Sequence, residues 1–341
     1  MGVDDFYGGV EGGGTHSTTM IFRGNGELVA TIEGPSTNHY QIGKEETSRR
    51  VEAMVREAFK QAGLEEHTNL QGLGLGLSGL EDEETANQLI SVLQKLFPHL
   101  ALKIIACSDT RGTLATATQT GGIVLIAGTG SNGLLLNKDG SEYRCGGWGH
   151  MMGDEGGAWW IANRACKLYF DSLDNIVHNK DISLIEKLIF EHFSIKDRFG
   201  MLYHLYENFN KSFFASLTSK LAAAANQGDE ICIKLFHDAG AALGNHVKAL
   251  APNVHRPMME GEGGLKVVCV GSVWKSWSLL KPGFIQAVAQ SQSIPELSLV
   301  ELAVGMATGA TYLGAQAADY NLPRDYSKNV KQFFHYKKES S

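Results

Sequence analysis

Short apolar runs separated by glycine-rich turns alternate with longer amphipathic segments through the first third of the chain. The apolar runs predict strands at Tyr7–Val10, Thr18–Phe22, Leu28–Glu33, Gly72–Leu77 and Lys103–Cys107. Apolar residues spaced three and four apart, or runs of small residues, predict helices over Lys44–Ala62, Glu83–Leu96 and Thr110–Thr118. The resulting order is three strands, then helix, strand, helix, strand and helix, which indicates an α/β domain.

The second part of the chain begins in the same way. Strands are predicted at Gly122–Ala127, Gly133–Asn137, Tyr143–Cys145 and Lys266–Val270, and helices at about Leu279–Ser291 and Val304–Ala318. Between them the apolar spacing is helical from Gly157 to about Ala251. We therefore predict two α/β domains, residues 1–118 and 119–341, the second with a helical insertion over about 157–251.

A turn rich in glycine and threonine follows the first strand of each domain. The two turns read Glu11-Gly-Gly-Gly-Thr15 and Gly128-Thr-Gly-Ser-Asn132. Glycine lets the backbone approach a ligand closely, and successive N–H groups beside a hydroxyl suit phosphate oxygens. Each threonine could instead bond its own turn, but the paired placement predicts a nucleotide clamped between two similar domains. The predicted phosphate contacts are Gly13, Gly14, Thr15 and Thr129.

Three other motifs, two for nucleotide binding and one for a catalytic nucleophile, are excluded by the residues around them. Gly128–Gly133 matches the dinucleotide fingerprint, but an apolar run and a turn follow it where that motif needs a helix. Gly43-Lys44 lacks the glycine-rich loop of a P-loop, and Gly76–Leu80 lacks the closing glycine of a nucleophile elbow.

Composition narrows the function classes. The net charge of −7 over 341 residues argues against nucleic acid or an anionic membrane as the main partner. No apolar run has the length of a membrane span, and the N-terminus shows no signal peptide. The five widely spaced cysteines favour a reducing, cytoplasmic location. Cys145 and His150 could suggest zinc, but no second Cys or His pair accompanies them.

Five motifs, in order, resemble the actin-like sugar kinase and chaperone ATPase superfamily and, within it, the eukaryotic N-acetyl-D-glucosamine kinases. They are Ser36–His39, Ser108-Asp109, Gly128–Asn132, Gly146–Gly156 and Val270–Trp277. The resemblance implies two actin-like (ribonuclease H-like) domains, each a mixed sheet with flanking helices, around a nucleotide cleft. It also implies ATP-dependent phosphorylation of N-acetyl-D-glucosamine at the 6-hydroxyl, in amino-sugar salvage, with ATP and Mg²⁺ and as a homodimer.

Asp109 comes directly after a predicted strand and at the start of a predicted helix. Ligands of open α/β sheets bind at this edge, but aspartate is also a favoured helix N-cap, so position alone leaves both roles open. The resemblance implies that Asp109 is the catalytic base for the 6-hydroxyl.

The resemblance also assigns the remaining site residues. Sugar contacts are implied at Asn38, Asp109, Ser131, Asn132, Gly147, Trp148, Gly149, His150 and Asp154. Contacts with adenosine are implied at Ala215, Gly271 and Ser272, and Glu11 is expected to hold a water on Mg²⁺.

Three of these assignments have plainer alternatives. The segment from Gly146 could be a surface loop with a helix beginning at Asp154-Glu155. Asn38 could be a turn residue and Ser272 a helix cap. The pairs Met151-Met152 and Trp159-Trp160 are predicted to fill the core.

Two other functions belong to neighbouring branches of the same superfamily. One is a nucleotide-switched ATPase of the dehydratase-activator type, which would need a suitable cysteine pair for its cluster. The other is a sugar-sensing regulator, which would need a DNA-binding module. Because the sequence shows neither feature, the sugar kinase is the predicted function.

Overall fold

The first strand–turn–strand segment forms the middle of a five-stranded sheet. In the computed structural model, which describes residues 2–13, 15–65, 68–178 and 181–338, the sheet order is β3-β2-β1-β4-β5. The strands are β1 (Phe6–Gly12), β2 (His16–Arg23), β3 (Leu28–Pro35), β4 (Leu70–Leu77) and β5 (Ala101–Cys107). The helices among them are α1 (His39–Ile42), α2 (Lys44–Gln61), α3 (Glu83–Leu96) and α4 (Asp109–Ala117). Strand β2 is antiparallel to β1 and β3, whereas β4 is parallel to β1 and β5.

A second sheet has the order β11-β10-β9-β6-β7-β8. Its strands are β6 (Gly122–Ala127), β7 (Ser131–Leu136), β8 (Glu142–Gly146), β9 (Leu265–Val270), β10 (Glu296–Leu302) and β11 (Val330–Lys337). The helices that follow β8 are α5 (Ala158–Leu173), α6 (Ser183–Phe193), α7 (Lys211–Asn226), α8 (Glu230–Leu250), α9 (Arg256–Met259), α10 (Trp277–Ala289), α11 (Ala307–Ala317) and α12 (Tyr326–Asn329). Strand β6 is parallel to β9, and β7 is antiparallel to β8.

The two sheets share one strand order. Reading β8-β7-β6-β9-β10 beside β3-β2-β1-β4-β5 pairs each strand with a counterpart in the same place of its sheet. In both, a three-strand meander is followed by strands reached through helical connections. The predicted α/β class, with mixed sheets and flanking helices, is therefore confirmed.

The helix α2 shows why the periodic segments were predictable. Its apolar residues Val51, Met54, Val55, Ala58 and Phe59 recur at three- and four-residue intervals, and each is at most 4% exposed. They join one core with apolar residues of β4 and α3. Burial of one face explains why this helix, and the similar α3, lie within one residue of the predicted limits.

The predicted division at residue 118 differs from the observed one. The chain forms two compact units, one of the residues up to Gly122 with Val300–Phe333, the other of Ile123–Leu299 with the residues from Phe334 onward. Helix α11 therefore belongs to the first unit. Gly72 and Gly74 of β4 allow α11 to pack closely against this strand. A Cβ at Gly72 would clash with the backbone of Gly314, and a Cβ at Gly74 would clash with that of Ala310. This return of the chain depends on close backbone contact, which has no local signal.

The structure adds elements that the pattern did not predict. Strand β10 and the short helices α1, α9 and α12 were missed, and β11 lies in the tail for which nothing was predicted. Among the described residues, no helix is both long and apolar enough to cross a membrane. Four of the five cysteines are buried, and Cys145 is half-buried.

Candidate active site

The carboxyl ends of β1, β4 and β5 lie side by side, because these strands are parallel neighbours. Asp109 follows β5, and Ser78 follows β4. The Ser78 hydroxyl donates to Oδ2 of Asp109 at 2.5 Å, and the N–H of Thr110 donates to Oδ1 at 2.7 Å. The carboxylate is thus held in one orientation at the ligand-binding edge of the sheet.

The N-cap of α4 is Ser108, not Asp109. Its hydroxyl accepts from the N–H of Arg111 at 3.3 Å, and Asp109 is the first residue of the helix. The alternative role of Asp109 as a helix cap is therefore wrong.

Glu11, at the end of β1, is the second carboxylate at this edge. Its side chain is half-buried, and burial together with the negative charge of Asp109 raises the pKa of Glu11, while His16 partly opposes the rise. Two acids close enough to repel each other suit a hard cation that accepts few protein ligands and keeps several waters, as Mg²⁺ does. Within the described residues there is no group of three or more His, Cys, Asp or Glu side chains that could hold a metal.

Glu11→Gln is expected to raise thermal stability at neutral pH. Because the folded-state pKa of Glu11 lies above its ordinary value of 4.5, wild-type stability falls as pH rises through the raised pKa. The glutamine amide carries no charge, so the variant does not lose this stability. The difference in melting temperature between variant and wild type should grow as pH rises from 4.5 through the raised pKa of Glu11 and then level off. Melting temperatures across a pH series in chelator check this. A variant that melts below wild type at neutral pH would contradict it.

The first glycine-rich turn joins β1 and β2. The N–H of Gly13 donates to the carbonyl of His16 at 3.0 Å. Thr15 is exposed, and its hydroxyl lies 3.0 Å from Nδ1 of His16. Gly14 lies outside the described residues. Contact of this turn with phosphate stays a prediction.

Asn38 caps a short helix. Its side-chain oxygen accepts from the N–H of Tyr40 at 3.0 Å and so begins α1. The alternative role as a turn residue is therefore correct for this oxygen, which keeps a second lone pair, and the sugar contact of Asn38 stays a prediction. The next residue, His39, is 6% exposed, and neither ring nitrogen has a hydrogen-bond partner.

In the second unit, the turns after the parallel strands β6 and β9 touch each other. Gly271 has φ of 110°, and a Cβ there would lie 2.7 Å from the backbone nitrogen of Gly128. Thr129 is exposed beside it. Ser272 begins a 3₁₀ turn, and no side-chain bond caps that turn, so its alternative role as a helix cap is wrong. Ala215 lies on α7 at 3% exposure, and its predicted contact with adenosine stays a prediction.

Asp154 is the central charge of the glycine-rich loop. It is 4% exposed, and its φ of 66° is unusual for a residue with a side chain. Oδ1 accepts from the N–H of Ser131 at 3.2 Å, and Oδ2 lies 2.6 Å from Nζ of Lys211. Helix α5 begins at Ala158, so the alternative of a helix beginning at Asp154-Glu155 is wrong.

Other predicted sugar residues meet in pairs around this loop. A Cβ at Gly147 would lie 2.8 Å from Oδ1 of Asn132, and that oxygen is buried without a hydrogen-bond partner. The His150 ring stacks on Phe209 with centroids 5.0 Å apart. Gly149, with φ of 78°, has open space where a side chain would stand.

Large apolar side chains of this loop are exposed. Trp148 is 71% exposed, with the Arg144 guanidinium 5.4 Å from its ring centroid. Met151 and Met152 are 83% and 80% exposed, so their predicted place in the core is wrong. The glycines around them supply no side chains against which the methionines could pack. Trp159 and Trp160 are half-buried at the start of α5.

Gly130→Ala is expected to weaken sugar binding and raise the KM for sugar, with little change in KM for ATP. The new Cβ would lie 2.7 Å from Cγ of Asp154, whose carboxylate is already held by Ser131 and Lys211. Gly128→Ala is the matched control, because no atom lies within 4 Å of its new Cβ. Sugar titrations that give equal losses for both variants would contradict this.

Sequence analysis missed Ser78 and Lys211. Ser78 could have been found, because β4 and β5 were both predicted and the ends of parallel neighbours share an edge. Lys211 had no such signal, since 57 residues separate it from Asp154.

Comparison with known proteins shows which family model and which relatives this chain matches. Residues 9–320 match the BadF/BadG/BcrA/BcrD ATPase family. An N-acetylmuramic acid/N-acetylglucosamine kinase of Clostridium acetobutylicum is 29% identical over 71% of this chain and 78% of its own length. An N-acetyl-D-glucosamine kinase of Dictyostelium discoideum is 26% identical over 69% of this chain and 76% of its own length.

A solved structure shares the fold over nearly the whole chain. It is a candidate N-acetylglucosamine kinase from Chromobacterium violaceum, with a TM-score of 0.67 and 26% identity, and the match covers 92% of this chain and 99% of the other. Bacterial and Dictyostelium relatives both match, so the similarity is not confined to the eukaryotic kinases of the predicted resemblance.

Proposed function

The chain belongs to the BadF/BadG/BcrA/BcrD ATPase family, and we propose that it transfers the γ-phosphate of ATP to the 6-hydroxyl of N-acetyl-D-glucosamine. Two relatives that match more than two thirds of the chain are named as kinases of this sugar. The observation that carries the proposal is the orientation of Asp109 by Ser78 and Thr110 at the ligand-binding edge of the sheet.

Asp109 is the base in this proposal. A carboxylate with fixed oxygens can accept the proton of the sugar hydroxyl as that hydroxyl attacks phosphorus. One oxygen accepts from a hydroxyl and the other from a backbone N–H, so lone pairs remain on both for the substrate. The hydrogen bond from Ser78 keeps the carboxylate from rotating away from the substrate.

The metal in this proposal is Mg²⁺, and Glu11 would hold it through a water. When bound, Mg²⁺ would neutralise the charge of the phosphates. Burial and the neighbouring negative charge of Asp109 raise the pKa of Glu11, and a bound cation would favour its ionised form.

The second unit supplies the polar groups for sugar. Asp154 uses one partner for each oxygen, and a carboxylate has about four acceptor sites, so it can also accept from ring hydroxyls. Asn132, whose buried oxygen lacks a partner, is suited to a sugar hydroxyl, and Trp148 offers an exposed apolar face. Ser131 acts through its N–H, which holds Asp154, while its hydroxyl donates to the carbonyl of Glu155.

For the nucleotide, Thr15 and Thr129 would each donate to phosphate oxygens. Both are exposed on glycine-rich turns. Gly271 and Ser272, next to the Thr129 turn, together with Ala215, would flank adenosine. We also propose a cytoplasmic homodimer in amino-sugar salvage, and light scattering of the purified protein tests its dimeric state.

The test is an ATP-dependent phosphorylation assay over a panel of hexosamines. We expect N-acetyl-D-glucosamine to be phosphorylated, with phosphorus coupled to the C6 protons in the NMR spectrum of the product. N-acetylmannosamine and N-acetylmuramic acid belong in the panel, since a relative is named for the latter. ATP hydrolysis that no sugar increases, with no phosphosugar formed, would favour the nucleotide-switched ATPase of the dehydratase-activator type instead.

A further inference from the structure

We infer that Lys211 is a positioning residue of the sugar site, which holds the Asp154 carboxylate in the orientation that accepts from sugar hydroxyls. The inference rests on the proposed function and concerns a residue that no sequence motif marks. Lys211 opens α7, and its Nζ lies 2.6 Å from Oδ2 of Asp154.

Burial of Asp154 demands a counter-ion. Its side chain is 5% exposed, and a buried carboxylate is costly unless it is paired and hydrogen-bonded. Ser131 contributes one backbone N–H at 3.2 Å, and Lys211 contributes the positive charge. Without Lys211, a single backbone N–H would hold the carboxylate, and its oxygens would lose the orientation in which they accept from a sugar hydroxyl.

The position of Lys211 is unfavourable for the helix by itself. It is the first residue of α7, whose first turn holds no acidic residue, and a cation at a helix N-terminus opposes the macrodipole. Asn210 already caps the helix by accepting from the N–H of Phe213. A local cost of this kind is expected at functional sites, and here the pair with Asp154 offsets it.

The same segment supports the loop at a second point. Phe209, which precedes Lys211 by two residues, stacks on His150, whereas Lys211 pairs with Asp154. Residues 209–211 therefore contact both ends of the segment from His150 to Asp154. One short stretch fixes the loop that the proposed function assigns to sugar.

Lys211→Met tests the charge while keeping most of the apolar stem. We expect the KM for N-acetyl-D-glucosamine, and its dissociation constant by calorimetry, to rise about 10- to 100-fold, the range for one charge-assisted hydrogen bond. The kcat and the KM for ATP should stay within about twofold, and Lys211→Arg should restore most of the sugar affinity. Lys234→Met is the matched control, because Lys234 pairs with Asp238 on an exposed face of α8.

If Lys211→Met does not fold, the double variant Asp154→Asn/Lys211→Met replaces it, because no unpaired buried charge remains. That variant should bind sugar no more weakly than Asp154→Asn alone. Unchanged sugar affinity in a folded Lys211→Met, an equal loss of ATP affinity, or a double variant that binds sugar more weakly than Asp154→Asn alone would overturn the inference. A wild-type protein that binds sugar without phosphorylating it refutes the proposed function but leaves the calorimetric test valid, whereas a wild type that binds no sugar refutes both.

Discussion

Asp109→Asn is expected to lower kcat by about 10²- to 10⁴-fold, the usual loss when a general base is removed. The amide keeps the shape of the side chain, and its oxygen can still accept from Ser78 or from the N–H of Thr110. It has no charge with which to take the proton of the sugar hydroxyl. Steady-state kinetics with saturating sugar and ATP measure the effect.

The fold of Asp109→Asn should be intact, and it should melt at or above the wild-type temperature. Removing this negative charge relieves the repulsion that helps to raise the pKa of Glu11. Ser78→Ala is the graded companion, since it removes one hydrogen bond to the carboxylate but keeps the base, and a smaller loss is expected. If Asp109→Asn kept more than half of the wild-type kcat, Asp109 would not be the base.

Asp154→Asn is expected to weaken sugar binding by about 1.5–3 kcal/mol, the contribution of a hydrogen bond to a charged group, and to leave ATP binding nearly unchanged. Asparagine is the right replacement because it tolerates the positive φ of 66° as well as aspartate does, whereas alanine would add backbone strain. The change turns one carboxylate oxygen into an NH₂ group that faces Ser131 or Lys211. Calorimetry with each ligand separately measures the two affinities.

Asp319→Asn is the matched control for this change. Asp319 also has a positive φ, 54°, but it is exposed at the end of α11 in the first unit. It should bind sugar and ATP like wild type. Equal losses of sugar and ATP affinity in Asp154→Asn would place Asp154 outside the sugar site.

Much of the candidate site was visible in the sequence because it occurs where strands end. Strand β6 and helix α3 have the predicted limits, and Asp109 follows β5 as the pattern indicated. The sheet also brings together residues that are distant along the chain. The Ser78 hydroxyl reaches Asp109 across 31 residues, because β4 and β5 are parallel neighbours.

The structure of the glycine-rich loop could not be predicted from its own residues. Its composition marked it as unusual, but both a surface loop and a ligand site were compatible with that composition. The structure shows a buried Asp154 paired with Lys211 beside exposed Met151 and Met152. The partner of the buried carboxylate, Lys211, opens α7 and lies 57 residues from Asp154 along the chain, so its contribution had no local signal.

The α/β class, most strands and helices, the duplicated turn and the residues at strand ends could all be predicted from the sequence, because periodicity, turn chemistry and glycine content act over a few residues. The folded structure was needed to show that Val300–Phe333 joins the first unit, that Ser108 and not Asp109 caps α4, and that Lys211 pairs with Asp154. These outcomes depend on backbone clearance at glycines and on the pairing of buried charge. Both act between residues that the chain brings together only when it folds.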